Sequence, residues 1–234
     1  MNIPGFLRAS TPILLILALF FSAATLVAHI PVPMPSWLAA VLDQLDLNRW
    51  GCNLGALFQG SLFLFCSLSF VPLGWGPAAK NQTGRAARWL WRLAAIGCCF
   101  LALEEIFLFH KALSRIIEDT IGLSKMIPML GHGHAWLPVF AVAALAGLIL
   151  FVLSYWKQIG AIENTVRLRS QARTLLIVAL AALGVDILCE AGEAFMKHLG
   201  SSHTLFGWLE ETVEMVCVLS FLGCNTCIAE GQRL

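Results

Sequence analysis

The stretch TLLIVALAALGVDILCEAGEAF, residues Thr174–Phe195, decides how the chain is read. Its first twelve residues carry no charge and are almost all apolar. At about 1.5 Å per helical residue the whole stretch covers the roughly 30 Å of a bilayer's hydrocarbon core. It then places Asp186, Glu190 and Glu193 at i, i+4 and i+7, one face of a helix. An acid near the bilayer centre costs at least about 2.5 kcal/mol, so three on one face point to a use for them.

Five further runs have the same character. With the first, they read as six transmembrane helices, approximately Thr11–Ile30, Asn53–Leu73, Trp89–His110, Ala135–Trp156, Thr174–Phe195 and Phe206–Ile228. Composition agrees: 59% of the 234 residues are hydrophobic, 12% are charged and the mean hydropathy is +0.80. Soluble domains carry about a quarter charged residues, so lipid must solvate most of these side chains. The expected fold class is all-α, a polytopic membrane helix bundle forming a single domain over residues 1–234. The first run has Arg8 before it and small residues near its end, but it is long and lacks a clean cleavage pattern, so it is read as a helix and not as a signal peptide. A net charge of +1 excludes a strongly basic nucleic-acid binder.

Orientation follows from Lys and Arg. With the N-terminus in the cytoplasm, inner segments hold ten (Arg8, Lys80, Arg85, Arg88, Arg92, Lys157, Arg167, Arg169, Arg173, Arg233) and outer segments five. Both termini are therefore expected on the cytoplasmic side of a bacterial inner membrane. Two outer loops, Pro31–Trp50 and Lys111–Met129, mix apolar and charged residues as short amphipathic helices at the interface do. Seven of the eight cysteines lie in or beside apolar runs and read as small hydrophobes. Cys224-x-x-Cys227 has no second pair to complete a tetrahedral metal site.

On this topology all six histidines fall on the outer side, and three helices bring acids to one depth. Glu104 and Glu105 lie on the third, Asp186, Glu190 and Glu193 on the fifth, and Glu210, Glu211 and Glu214 on the sixth. Most sit within about 12 Å of the outer helix ends. Glu214 is i+4 from Glu210 and i+3 from Glu211, and His203 lies seven residues before Glu210. Lys111 and Lys197 are the nearby cations of the sequence, too few to neutralise eight carboxylates. The acids must be protonated, hydrated or bound to cations.

Carboxylates with histidines suit iron and manganese, or zinc where nitrogen ligands dominate. The expected ligands of a divalent metal are Glu104, Glu105, His110, Glu190, Glu193, His203, Glu210, Glu211, Glu214 and His134, with Asp186 as a proton relay. Neither the Glu-x-x-His pairs of di-iron bundles nor His-Glu-x-x-His is present. The doublet Glu104–Glu105 is similar to the EExxxR opening of intramembrane CAAX-type proteases, but Phe109 stands where that motif has Arg. The functional expectation is an integral membrane metal-binding protein, a candidate metal-dependent enzyme for an apolar or lipid-borne substrate. The alternatives are a proton- or cation-coupled transporter or channel, for which the inner halves offer Gln59 and Asn225 as the main polar residues, and a non-catalytic subunit or assembly factor. The expected partners are membrane lipids, other membrane subunits or a second copy of the chain.

Overall fold

The computed structural model describes residues 3–30, 33–47, 53–76, 85–107, 109–122, 137–162, 165–199 and 204–231. These form eight helices: α1 (Ile3–Ala28), α2 (Ser36–Leu45), α3 (Leu54–Trp75), α4 (Arg85–Phe107), α5 (Phe109–Ile121), α6 (Leu137–Gly160), α7 (Val166–His198) and α8 (Thr204–Gly231). Four are long and apolar enough to cross a membrane: α1, α3, α7 and α8. A fifth span arises if α4 and α5, whose axes diverge by 85°, are counted together. In α6 the stretch Ala146–Gly160 is apolar but shorter. The described residues are thus all-helical, with the long apolar spans of an integral membrane protein.

Helix bounds depart from the apolar runs where polar residues also favour helix. α7 begins at Val166, eight residues before its apolar run, because Val166–Arg173 continues the helix out of the hydrocarbon. Its Arg169 donates from Nε to the carbonyl of Ile162 at 2.7 Å, tying the α6–α7 connection to the helix start. The third run ends at Phe107, and His110 falls in the first turn of α5 instead of closing the span.

The core is built from stripes three and four residues apart. On α4 the buried residues Trp91, Ala95 and Ala102 share a face with Cys98 and Glu105. On α3 the matching stripe is Gln59, Leu62, Phe63, Cys66, Phe70 and Leu73, and on α8 it is Met215, Val218, Leu222, Asn225 and Ala229. α3 packs along α4, α7 packs along α8, and α8 also touches α1 and α3. Gly60 allows the first pair to close: a Cβ there would stand 2.9 Å from the Ala102 carbonyl oxygen.

Polar contacts fix the ends. At one end Arg8 pairs with Glu230 at 3.3 Å, so α1 begins where α8 finishes. At the same end Arg92 lies 5.2 Å from the ring centres of both Trp75 and Trp89 and donates from Nε to the Gly74 carbonyl at 3.0 Å. At the other end Asn53 caps α3 by accepting from the Ala56 amide at 2.7 Å, and its own amide donates to the Asp46 carbonyl at 3.0 Å. Thr25 accepts from the Leu47 amide at 2.9 Å, and His29 Nε2 lies 3.2 Å from Asp46. His29 is therefore engaged with the loop after α2.

Candidate carboxylate–amide site

Gln59 is an amide in an apolar helix and is only 1% exposed. Its NH2 group has two hydrogens and uses them on two acids of α8: it donates to Glu211 Oε2 at 2.6 Å and to Glu214 Oε2. These residues lie about one to three turns inside α3 and α8, at the end opposite Arg8 and Glu230. The amide's oxygen, Gln59 Oε1, is buried without a hydrogen-bond partner. An unsatisfied buried carbonyl costs about 1–3 kcal/mol, which marks it, among the site's described atoms, as unfinished.

Glu214 lies within electrostatic reach of Glu105, Glu211, Asp186 and Glu210. Glu210 in turn lies within electrostatic reach of Glu211, Glu193, Glu190 and Asp186. The structure thus brings seven of the sequence-derived residues together from α4, α7 and α8, in two overlapping groups that share Asp186, Glu210 and Glu211. Glu105 joins through the α4 stripe that faces α3, whereas Glu104 is turned about 100° away on that helix. Asp186, Glu214 and Cys98 also lie within electrostatic reach of the Cys217 thiol. His110 begins α5, but its side chain is outside the described part, and His134 and His203 lie outside the described residues altogether.

Two unit charges about 6 Å apart repel by roughly 3 kcal/mol at an effective dielectric constant near 20. Several such pairs would rival the stability of a whole domain, about 5–15 kcal/mol. A cluster of this kind persists only with compensating positive charge from side chains, protons or a bound cation. Among the described residues, no three His, Cys, Asp or Glu side chains stand close enough to hold a metal ion as arranged. The donors that do converge are the Glu211 and Glu214 carboxylates and the Gln59 amide. A half-turn of that amide would exchange NH2 for Oε1 and present three oxygens to one point, a donor set suited to hard divalent cations.

Below the acids a buried polar network joins α6, α8 and α3. The Tyr155 hydroxyl donates to Asn225 Oδ1 at 2.5 Å, Asn225 Nδ2 donates to Ser69 Oγ at 2.6 Å, and Ser69 donates to the Cys66 carbonyl at 2.5 Å. Tyr155 and Asn225 are fully buried, and Ser69 nearly so. Phe70, Trp91, Phe151 and Phe221 pack around Tyr155, with ring centres 4.8–6.5 Å from its own. Every donor points the same way and the chain of bonds ends on a backbone carbonyl. An amide in the middle and a carbonyl at the end do not pass protons along. This network fastens α6 and α8 to α3.

Gln59 is the residue that sequence reasoning left out of the site. Its signal was visible as a lone amide in an apolar run, but its partners depend on how α3 meets α8. Residues 12–228 match the family described as domain of unknown function DUF8692, and the chain belongs to that family. It matches no curated protein and no solved structure.

Proposed function

We propose that this member of DUF8692 binds a divalent cation between α3 and α8, through Glu211, Glu214 and the Gln59 carbonyl oxygen. The observation that carries the reading is Gln59, whose amide holds two carboxylates together while its own oxygen stays buried and unsatisfied. Glu105, Asp186, Glu190, Glu193 and Glu210 supply surrounding negative charge, with Asp186 placed to accept or return a proton. The described donors are all oxygens, which favours manganese or iron; His110, His134 and His203 would shift the preference toward zinc if they join. In this reading α1, α3, α4, α6, α7 and α8 cross the membrane, with α2 and α5 lying at the outer surface. Both termini face the cytoplasm of a bacterial cell, as the Lys and Arg bias and the Arg8–Glu230 pairing support. A cation near the outer leaflet could polarise a lipid-borne carbonyl or phosphoryl group, or activate water against it, which is the enzymatic form of the proposal.

The test is titration of the full chain in lipid nanodiscs with manganese, followed by thermal unfolding. A cation that binds the folded state at about 100 times its Kd adds roughly 2.7 kcal/mol of stability. The wild type should gain such stability, and the Glu211→Gln and Glu214→Gln variants should gain little. Equal gains in all three, or none in the wild type, would refute the site. A transporter would need a proton or ion path past the Tyr155–Asn225–Ser69 network, whose fixed donors oppose it. Cation-driven flux in liposomes that Asp186→Asn abolishes would restore that alternative. A partner that co-purifies with metal-free protein would favour an assembly role.

A further inference from the structure

We propose that Arg85, Arg88 and Arg92 form a binding site for an anionic phospholipid of the phosphatidylglycerol class, with its phosphodiester on the guanidinium groups and its acyl chains along α3 and α4. The three arginines follow i, i+3 and i+7 from the first residue of α4, which is one face of a helix. Arg92 is fixed on that face. Its Nε donates to the Gly74 carbonyl at 3.0 Å, and its guanidinium carbon lies 5.2 Å from the ring centres of both Trp75 and Trp89. Gly74 leaves room for its stem, since a Cβ there would stand 3.1 Å from Arg92 Cγ. Among the described residues Arg92 makes its hydrogen bond through Nε, so its two terminal nitrogens keep their hydrogens for a phosphate. Guanidinium binds phosphate through two parallel N–H groups of this kind.

Charge at this end of the bundle is one-sided. Among the described residues the acid here is Glu230, and it pairs with Arg8 at 3.3 Å. No described ion pair involves Arg85, Arg88 or Arg92. Three guanidinium groups on one face repel the ammonium of a zwitterionic headgroup and favour one whose charge is the phosphodiester alone. The apolar surface beside them separates a lipid from a free anion. Beyond the arginines the same face of α4 carries Ile96 and Leu103, and α3 carries Leu68 and Leu64 beyond Trp75, all exposed. Leu103 lies three turns past Arg92, about 16 Å, the depth of one leaflet of a roughly 30 Å core. Trp75 and Trp89 are exposed at the level of the arginines, where indole rings mark the border between headgroups and hydrocarbon. Cations, a pair of indoles and an apolar surface thus match headgroup, glycerol and acyl chain in order. The site stands at the end opposite the acids, and the proposal does not depend on cation binding.

The experiment is native mass spectrometry of the full chain in detergent, titrated separately with phosphatidylglycerol, phosphatidylcholine of the same chain length, and glycerol 3-phosphate. The wild type should retain phosphatidylglycerol at concentrations where the other two leave it bare. Arg92→Gln should weaken that binding by about tenfold, the loss expected for one charge-assisted contact. Arg173→Gln, which removes a cation of α7 that lies 5.5 Å from the Trp156 ring, should bind as the wild type does. No retained lipid, equal retention of both phospholipids, or equal losses in Arg92→Gln and Arg173→Gln would overturn the proposal. Glycerol 3-phosphate held as firmly as the lipid would overturn it in favour of a soluble anion. No described hydrogen bond or ion pair holds Arg88. Arg88→Gln, with the same expected loss, therefore keeps the test intact should Arg92→Gln fail to fold.

Discussion

At Gln59 a single NH2 group serves two carboxylates, and hydrogen bonds to charged acceptors contribute about 1.5–3 kcal/mol each. Gln59→Met keeps the length of the side chain and removes both the donors and the spare oxygen. Manganese affinity should fall by about tenfold or more, the equivalent of roughly 1.4 kcal/mol for one lost ligand, as read by titration. Unchanged affinity would take Gln59 out of the site. Asn225 answers to a different measurement. Asn225→Leu strands the buried Tyr155 hydroxyl, and thermal unfolding in detergent should show a loss of about 1–3 kcal/mol. Adding Tyr155→Phe to that chain should recover part of the loss, because the stranded group is then gone; a further loss would mean that the network acts otherwise. Both residues were legible as polar letters inside apolar runs. Their partners on other helices were not, since no local pattern states which helix faces which.

Among the elements, the α3–α4 pair has little room to change at Gly60. A Cβ on Gly60 would meet the Ala102 carbonyl at 2.9 Å, whereas one on Gly97 would meet nothing within 4 Å. Gly60→Val should therefore cost about 1–3 kcal/mol through overpacking and should weaken manganese binding by moving Glu105 away from Glu214. Gly97→Ala should stabilise the helix by up to about 1 kcal/mol and leave binding alone. Equal effects at the two glycines would argue against this packing. The sequence showed the apolar runs well because hydrocarbon thickness sets their length. It located helix ends poorly, because α7 continues through the polar segment Val166–Arg173 and the third run turns at Phe107 into an amphipathic helix. Hydropathy reports what lies in lipid and is silent on where a helix stops.

For the whole molecule, the start of α1 and the end of α8 lie at one end of the bundle and the acids at the other. Reporter fusions at residues 1 and 234 should report the cytoplasm, and one in the Ser36–Leu45 helix the opposite side; a split result for the termini would break the six-span arrangement. That acids of α4, α7 and α8 stand within electrostatic reach of one another agrees with their residue spacing, because helical rise converts sequence position into height along a helix. That Glu105 faces the cluster while Glu104 turns aside required the buried stripe of Trp91, Ala95 and Ala102 to be seen against α3. Elemental analysis decides whether the cluster holds a cation. Protein purified in mild detergent after growth with manganese, iron and zinc should carry stoichiometric metal that falls to background in the Glu211→Gln/Glu214→Gln double variant. A wild type free of metal after such loading, or a double variant that keeps it, would contradict the claim.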